Sequence, residues 1–146
     1  MAELVFVTGL SHAPGLTGWL DQAPEHEQKS LTDGFNMLGE MLRATQPDVI
    51  IGIANDHVLN MPLHDLHDFC VGTAEVWQGP AEWFQDWVNV EPYTVRGASG
   101  LAKTLYEGLS GRSFDITSKP ELLFDDNWSV PLTYLTPEFD IPLVPI

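Results

Sequence analysis

The chain has 146 residues, 44% of them hydrophobic and 18% charged, so it can form one domain with its own core and is too apolar to be disordered. Its net charge of −15, with only six lysines and arginines, would repel a nucleic-acid backbone or an anionic membrane surface and argues against both partners. No apolar run approaches the roughly 18 residues that a membrane span needs, and the single cysteine, Cys70, favours a reducing, cytoplasmic location.

The first third of the chain predicts a strand, a helix and a second strand. Residues 4–10 form a short apolar run typical of a buried strand, and a Gly/Pro-rich loop follows it. A helix is predicted from Pro24 to the residue before Pro47, because it carries one apolar stripe of Leu31, Phe35, Leu38 and Leu42. The second strand covers residues 48–54. This order predicts a β-α-β unit and a parallel sheet.

The remainder of the chain continues the alternation of strands and helices. After a polar loop, the pattern predicts strands over residues 68–75 and 114–117, a helix over 99–109, a short helix from Pro131 and a final strand over 140–146. We interpret the Trp-rich segment at residues 77–87 as core or subunit interface. The predicted fold class is α/β, with a central largely parallel or mixed sheet flanked by helices. It is one domain over residues 1–146, and we expect it to be truncated at its C-terminal end because the chain closes within a strand.

Two histidines follow the first two predicted strands at equivalent places. His12 lies two residues past the first strand, and His57 lies three residues past the second. The carboxyl ends of parallel strands form one ligand-binding edge, so both imidazoles should reach the same rim. A single loop histidine is more often an exposed residue than a ligand. Two at equivalent strand ends raise the chance of a metal site, but their positions alone do not establish one. Imidazole suits iron, zinc, copper and nickel alike.

The segments around these histidines resemble a known family. GLSHAPG follows the first strand and IANDHVLN the second, and FCVGTAEVWQGPAEW, FDDNWSVPLTYL and IPLVPI come after them in that order. Together, and over essentially the whole chain, they resemble the class III extradiol ring-cleavage dioxygenases of the protocatechuate 4,5-dioxygenase β-subunit and gallate dioxygenase type. SH with a nearby Pro and NDH are fairly specific only in combination.

The resemblance implies a site and a reaction. His12 and His57 would bind Fe(II), and a glutamate would complete the triad of two histidines and one carboxylate found in mononuclear iron oxygenases. The implied substrates are O2 and a catecholic aromatic acid similar to protocatechuate or gallate. The implied assembly is a homo-oligomer or a pair with a small α-type subunit.

The chain departs from the family pattern in two ways. The third ligand, a glutamate, and the acid/base histidine are both expected beyond Ile146, and we assign neither role to the acidic residues Glu75, Asp125 and Asp126. Asn127 stands at the position of a family active-site histidine. An asparagine can orient a substrate by hydrogen bonds but cannot exchange a proton near neutral pH.

Several polar residues lie beside the predicted ligands. Ser11, Asn55 and Asp56 are expected to support the site from a second layer, although Asp56 is equally typical of a residue that caps its own loop. His64 and His67 form a pair that lacks a third ligand, which disfavours a second metal site.

Two other functions also fit the sequence. Asn127 fits a non-catalytic structural or regulatory subunit on the same scaffold. Two histidines also fit a zinc-dependent hydrolase, which metal analysis would distinguish from an iron protein.

Overall fold

Helices and strands alternate along the computed structural model, which describes residues 2–146. The helices are α1 (Gly15–Gly18), α2 (Glu25–Ala44), α3 (Gln85–Val88), α4 (Ser99–Ser110) and α5 (Asp126–Leu135). The strands are β1 (Ile50–Gly52), β2 (Phe69–Gly72), β3 (Val76–Gly79), β4 (Tyr93–Arg96), β5 (Ile116–Lys119) and β6 (Leu143–Pro145). Short 3-10 turns cover Leu20–Gln22 and Glu82–Phe84.

The strands form parallel and antiparallel pairs. β1 pairs with β6 and β2 with β5 in parallel, whereas β3 and β4 are antiparallel. The β2 and β6 strands lie side by side, since a Cβ on Gly72 would come within 2.6 Å of the Pro145 ring. The predicted α/β class is therefore confirmed. The strands form three two-stranded sheets where the sequence suggested one central sheet.

The predicted long helix is confirmed as α2. Phe35 and Leu42 are buried on its apolar stripe, and Leu42 packs with Leu135 of α5. The two helices approach closely at Gly39, where a Cβ would lie 2.9 Å from the carbonyl oxygen of Tyr134. The stripe thus packs α2 against α5, the helix that begins at Asp126.

The start of α5 lies in the centre of the core. Trp128 and Leu132 pack with Phe124, Trp77 and β6 in the main hydrophobic cluster, and every residue from 124 to 130 is buried. Asp125 is the N-cap, and its side chain accepts a hydrogen bond from the backbone N–H of Asn127 at 3.0 Å. The helix therefore begins at Asp126, five residues before the predicted start at Pro131.

The predicted first strand is wrong. Residues 2–13 have no regular secondary structure, and Leu4 and Val7 are 81% and 75% exposed. Phe6 and Leu10 are partly buried against the cluster of Leu42, Leu135 and Ile141. A strand requires a neighbour to pair its backbone groups, and none of the described strands pairs with this segment. The predicted β-α-β unit consequently lacks its first strand.

Most other boundaries agree with the predictions to within a few residues. The helix at α4 and the strands at β1, β2, β5 and β6 are present where they were expected. The pattern missed the β3–β4 hairpin and the short helix α1 in the predicted Gly/Pro-rich loop. Within residues 2–146, no helix is long and apolar enough to cross a membrane.

Candidate metal centre

His12 and His57 lie side by side. Their ring centroids are 5.4 Å apart, with the ring planes tilted by 47°. Imidazole nitrogens coordinate at about 2.1 Å, so two rings that share an ion must have their centres within roughly 6.5 Å. The separation of His12 and His57 falls inside that limit. The structure thus brings together the two histidines that the sequence singled out, although the strand expected before His12 is not formed.

The His57 ring is held by the first residues of α5. Its Nδ1 lies 2.8 Å from Oδ2 of Asp125 and 3.3 Å from Oδ1 of Asp126. Metal-binding histidines commonly direct one ring nitrogen at a carboxylate, which fixes the ring and leaves the other nitrogen for the metal. In this arrangement Nε2 of His57 is the nitrogen available to an ion, with Asp125 as the orienting residue.

The charges around His57 are strongly negative. Partial burial lowers the pKa of His57, but the hydrogen bond that its Nδ1–H donates to Asp125 and the charges of Asp125, Asp126 and Asp56 outweigh it and raise the pKa above its ordinary value. The pKa of Asp126 is also raised, first by burial and then by repulsion from Asp125. Two adjacent buried carboxyl groups therefore favour a cation at this place.

The donor atoms of His57, Asp125 and Asp126 are close enough to hold a metal ion. One ligand atom from each residue lies within 4.8 Å of the others, and within residues 2–146 this is the one such group of three. Imidazole with carboxylate suits Fe(II) and also zinc. The sequence reasoning left Asp125 and Asp126 unassigned. The two consecutive acidic residues at the start of a helix were the available signal, because Asp is a preferred N-cap.

Asn127 connects the start of α5 to the loop that carries His57. Its Nδ2 donates to the carbonyl oxygen of Asn55 at 3.0 Å. Its Oδ1 is buried and has no hydrogen-bond partner among the described residues. Asn127 therefore helps to hold the His57 loop and also offers an unsatisfied acceptor.

The three expected supporting residues contact backbone near the histidines. The Asp56 carboxylate accepts hydrogen bonds from the backbone N–H groups of Asn60 and Met61, both at 3.0 Å, so it caps its own loop. Ser11 Oγ accepts from Ala13 N at 3.3 Å, and Asn55 contributes its carbonyl oxygen to Asn127. Asp125, rather than Asp56, makes the direct contact with the His57 ring.

A cavity of about 410 Å³ opens beside the His–Asp group. His57, Asp125 and Asp126 line one part of it, and Trp83, Phe84 and Trp87 line another. This volume lies within the range of about 300–1,000 Å³ that is typical of small-molecule sites. The cavity thus joins titratable groups to an aromatic surface.

The Trp-rich segment divides between core and cavity. Trp77 is 2% exposed and Phe84 is 6% exposed, as the interpretation of this segment as core predicted. Trp83 and Trp87 are 64% and 53% exposed and line the cavity instead. The amphipathic pattern of the segment could not show which tryptophans face the site.

The segment that follows His12 packs directly against the helix that carries Trp87. A Cβ on Gly18 would lie 2.2 Å from the carbonyl oxygen of Trp87, so α1 and α3 touch through backbone. The Trp19 and Trp87 rings also pack, with centroids 5.8 Å apart. This contact packs the segment that follows His12 against the aromatic side of the cavity.

His67 forms a separate and more exposed pair with an acidic residue. Its Nδ1 lies 2.7 Å from Oδ1 of Asp115, and that hydrogen bond raises the pKa of His67. His64 and His67 are not part of a group of three ligands among the described residues. The low weight given to this pair as a metal site stays a prediction.

Comparison with known proteins identifies one family. The family model described as the catalytic LigB subunit of aromatic ring-opening dioxygenase matches residues 7–146. The matched range includes both histidines, all of α5 and the aromatic side of the cavity. A search of curated proteins gives no match.

Proposed function

The chain belongs to the family of catalytic LigB subunits of aromatic ring-opening dioxygenases, and on this basis we propose that it is an Fe(II)-dependent extradiol dioxygenase that cleaves a catechol ring with O2. The family supports the ring-opening dioxygenase activity. Iron, the extradiol position of cleavage and the catecholic substrate are our proposal. We also propose a cytoplasmic protein that assembles as a homo-oligomer or with a small α-type subunit.

The pairing of His12 with His57 is the observation that carries this proposal. The two rings lie 5.4 Å apart, and the Asp125 carboxylate holds Nδ1 of His57 at 2.8 Å. We propose both histidines as iron ligands. The predicted third ligand, a glutamate beyond Ile146, lies outside these residues. Asp125 and Asp126 both approach the Nδ1 edge of His57, which supports an orienting role for them.

The described residues would prepare the site for an ion and for a substrate. Asp125 fixes the His57 ring and favours the tautomer with a proton on Nδ1. Asn127 holds the loop that carries His57 by donating from Nδ2 to the carbonyl oxygen of Asn55, a role that moves no proton. Ferrous iron, when bound, would supply the coordination of catechol and O2 and the redox step between them. Proton transfer is assigned to the histidine predicted beyond Ile146.

We propose that the substrate contains a catechol ring, and we do not propose that the ring carries a carboxylate. A carboxylate on the ring would need a lysine or arginine nearby, and none of the six lines the cavity beside His57. The carboxylate of the aromatic acids implied by the resemblance therefore stays a prediction.

Anaerobic reconstitution with ferrous iron tests the proposal. We expect the full-length protein, with the ligand and the histidine predicted beyond Ile146, to retain about one iron per chain by analogy with mononuclear sites, to consume O2 with a catechol and to form a yellow ring-opened product. His12→Ala and His57→Ala should each abolish iron retention. His26→Ala is the control, because His26 is 83% exposed and far in sequence from either ligand. Full iron retention and turnover in His12→Ala or His57→Ala would show that the ligand assignment is wrong.

Zinc suits the same imidazole and carboxylate donors, so a zinc-dependent hydrolase is the second candidate. Protein purified in air would then contain zinc, and adding ferrous iron would not produce O2 uptake. A non-catalytic subunit, which Asn127 first suggested, would contain neither metal at stoichiometric level. Elemental analysis together with O2 uptake separates all three functions.

A further inference from the structure

Trp83 and Trp87 present an unusual amount of aromatic surface to the cavity beside His57. They are 64% and 53% exposed, and both line the cavity that His57 and the two acidic residues also line. Large aromatic side chains gain most when their faces are covered, and paired rings prefer centroids about 4.5–7 Å apart. Two uncovered indoles at the entrance to a candidate active site therefore match the flat face of an aromatic ligand.

The two indoles are held by the fold rather than by chance contacts. Phe84, which is buried, packs edge-on against both, with ring centroids 5.2 Å from Trp83 and 4.8 Å from Trp87. Trp87 also belongs to α3, which touches α1 through the backbone at Gly18. The aromatic surface is thus fixed relative to α1, the short helix that follows the His12 loop.

The charge of the cavity selects among aromatic ligands. Asp125 and Asp126 line it and are 3% and 7% exposed, so their charges are poorly screened by solvent. The basic residues are used elsewhere: Lys29 pairs with Asp33, Arg43 pairs with Asp140, and the remaining four also lie outside the cavity lining. A ligand carboxylate at this place would meet two carboxylate charges, and no lysine or arginine of residues 2–146 lines the cavity to offset them.

We infer that Trp83 and Trp87 form the wall that binds the substrate ring, and that the favoured substrate is a catechol without a carboxylate. The inference rests on the proposed function for the reaction, but it concerns binding and adds the substrate class. Trp83 and Trp87 would thus determine the preference of the site for an aromatic ring. The neighbouring carboxylates disfavour the aromatic acids that the resemblance first suggested.

Calorimetric titration under nitrogen tests the inference without turnover. The iron-loaded and the metal-free chain are each titrated with 4-methylcatechol and with 3,4-dihydroxybenzoate, which share the catechol ring and differ in charge. We expect 4-methylcatechol to bind roughly tenfold more tightly than the acid, because like charges repel in a partly buried site. Equal or tighter binding of the acid overturns the choice of substrate class.

Variants of the wall test the role of the indoles. Trp83→Leu should weaken binding of 4-methylcatechol roughly tenfold, whereas Trp83→Phe should retain most of the affinity because it keeps a ring. Phe114→Leu is the control, since it removes a half-exposed ring outside the cavity lining. Circular dichroism checks that these substitutions at exposed positions leave the fold intact. Unchanged affinity in both Trp83→Leu and Trp87→Leu overturns the inference.

The failure of this inference is distinguishable from failure of the proposed function. Tryptophan-dependent binding of the neutral catechol without any O2 uptake would contradict the dioxygenase proposal and uphold the wall. Ring cleavage that is insensitive to Trp83→Leu and Trp87→Leu, with aromatic acids preferred, would contradict the inference and uphold the dioxygenase.

Discussion

The two histidines of the candidate centre come from regions that differ in how much regular secondary structure and burial they have. His57 contacts the start of α5, where every residue from 124 to 130 is buried and Asp125 caps the helix. His12 follows residues 2–11, which have no regular secondary structure and whose backbone N–H groups donate no hydrogen bond within the described chain. One half of the site is therefore positioned by the core, and the other by the short helix α1 and its contact with α3.

This difference shows how a two-histidine site can be partly preorganised. The His57 ring already has its orienting carboxylate, so an ion binding there pays little conformational entropy. Ordering of the His12 loop would accompany binding, and its cost would reduce the affinity. The two regions should respond differently to substitution, to iron and to pH.

The largest expected effect is on stability, at the core beneath His57. Phe124→Ala should lower the free energy of unfolding by about 3–5 kcal/mol, because Phe124 is 0% exposed and packs between Trp77 and Trp128. Val7→Ala, at a position that is 75% exposed, should change it by less than about 0.5 kcal/mol. Urea denaturation measures both. Comparable losses would mean that the two regions are equally part of the core.

The next effect is on iron affinity. Asp125→Asn should weaken iron binding by about 10–100-fold, since it removes the charged partner of His57 while keeping a good N-cap. Ser11→Ala, beside His12, should change iron affinity little because Ser11 only accepts from Ala13 N. Anaerobic iron titration gives both values. Complete loss of iron in Asp125→Asn with normal stability would instead make Asp125 a ligand.

Hydrogen exchange should reveal a change confined to one half of the site. Amides of residues 4–12 should exchange rapidly without metal, because they lack hydrogen bonds, while those of residues 132–135 in α5 should be protected. Adding ferrous iron under nitrogen should slow exchange near His12 and leave α5 unchanged. Protection that appears only in α5 would contradict the assignment of His12.

The smallest effect concerns His67, whose carboxylate partner Asp115 is exposed where that of His57 is buried. The hydrogen bond with Asp115 raises the pKa of His67 above 6.5, so Asp115→Asn should move it back towards that value in an NMR titration. A raised folded-state pKa stabilises the fold below pH 6.5, and the stabilisation is lost as the pH rises through the raised value. An unchanged pKa in Asp115→Asn would show that the pair does not form in solution.

The sequence predicted the elements whose patterns are local. The apolar stripe of α2 and the run at β6 specify their own structure, and both are present. The positions of His12 and His57 predicted their proximity through the edge of a parallel sheet, and they do lie together. His12 does not reach this place from the end of a strand, as was predicted, because residues 4–10 form no strand.

The missed features depend on contacts between distant residues. Asp125 lies 68 residues after His57, and no spacing links the two. The apolar run at residues 4–10 is typical of a strand, yet a strand exists only where a neighbour pairs with it. The division of the tryptophans between core and cavity depends on the packing of α3 against α1, which no single segment encodes.

X-ray absorption at the iron edge tests most directly whether His12 and His57 bind one ion. We expect the spectrum of the anaerobically loaded wild-type chain to fit two imidazole ligands. His12→Ala, loaded at high iron concentration, should fit one imidazole, and His57→Ala should behave alike. A spectrum with no imidazole, or one that His12→Ala leaves unchanged, would contradict the shared site.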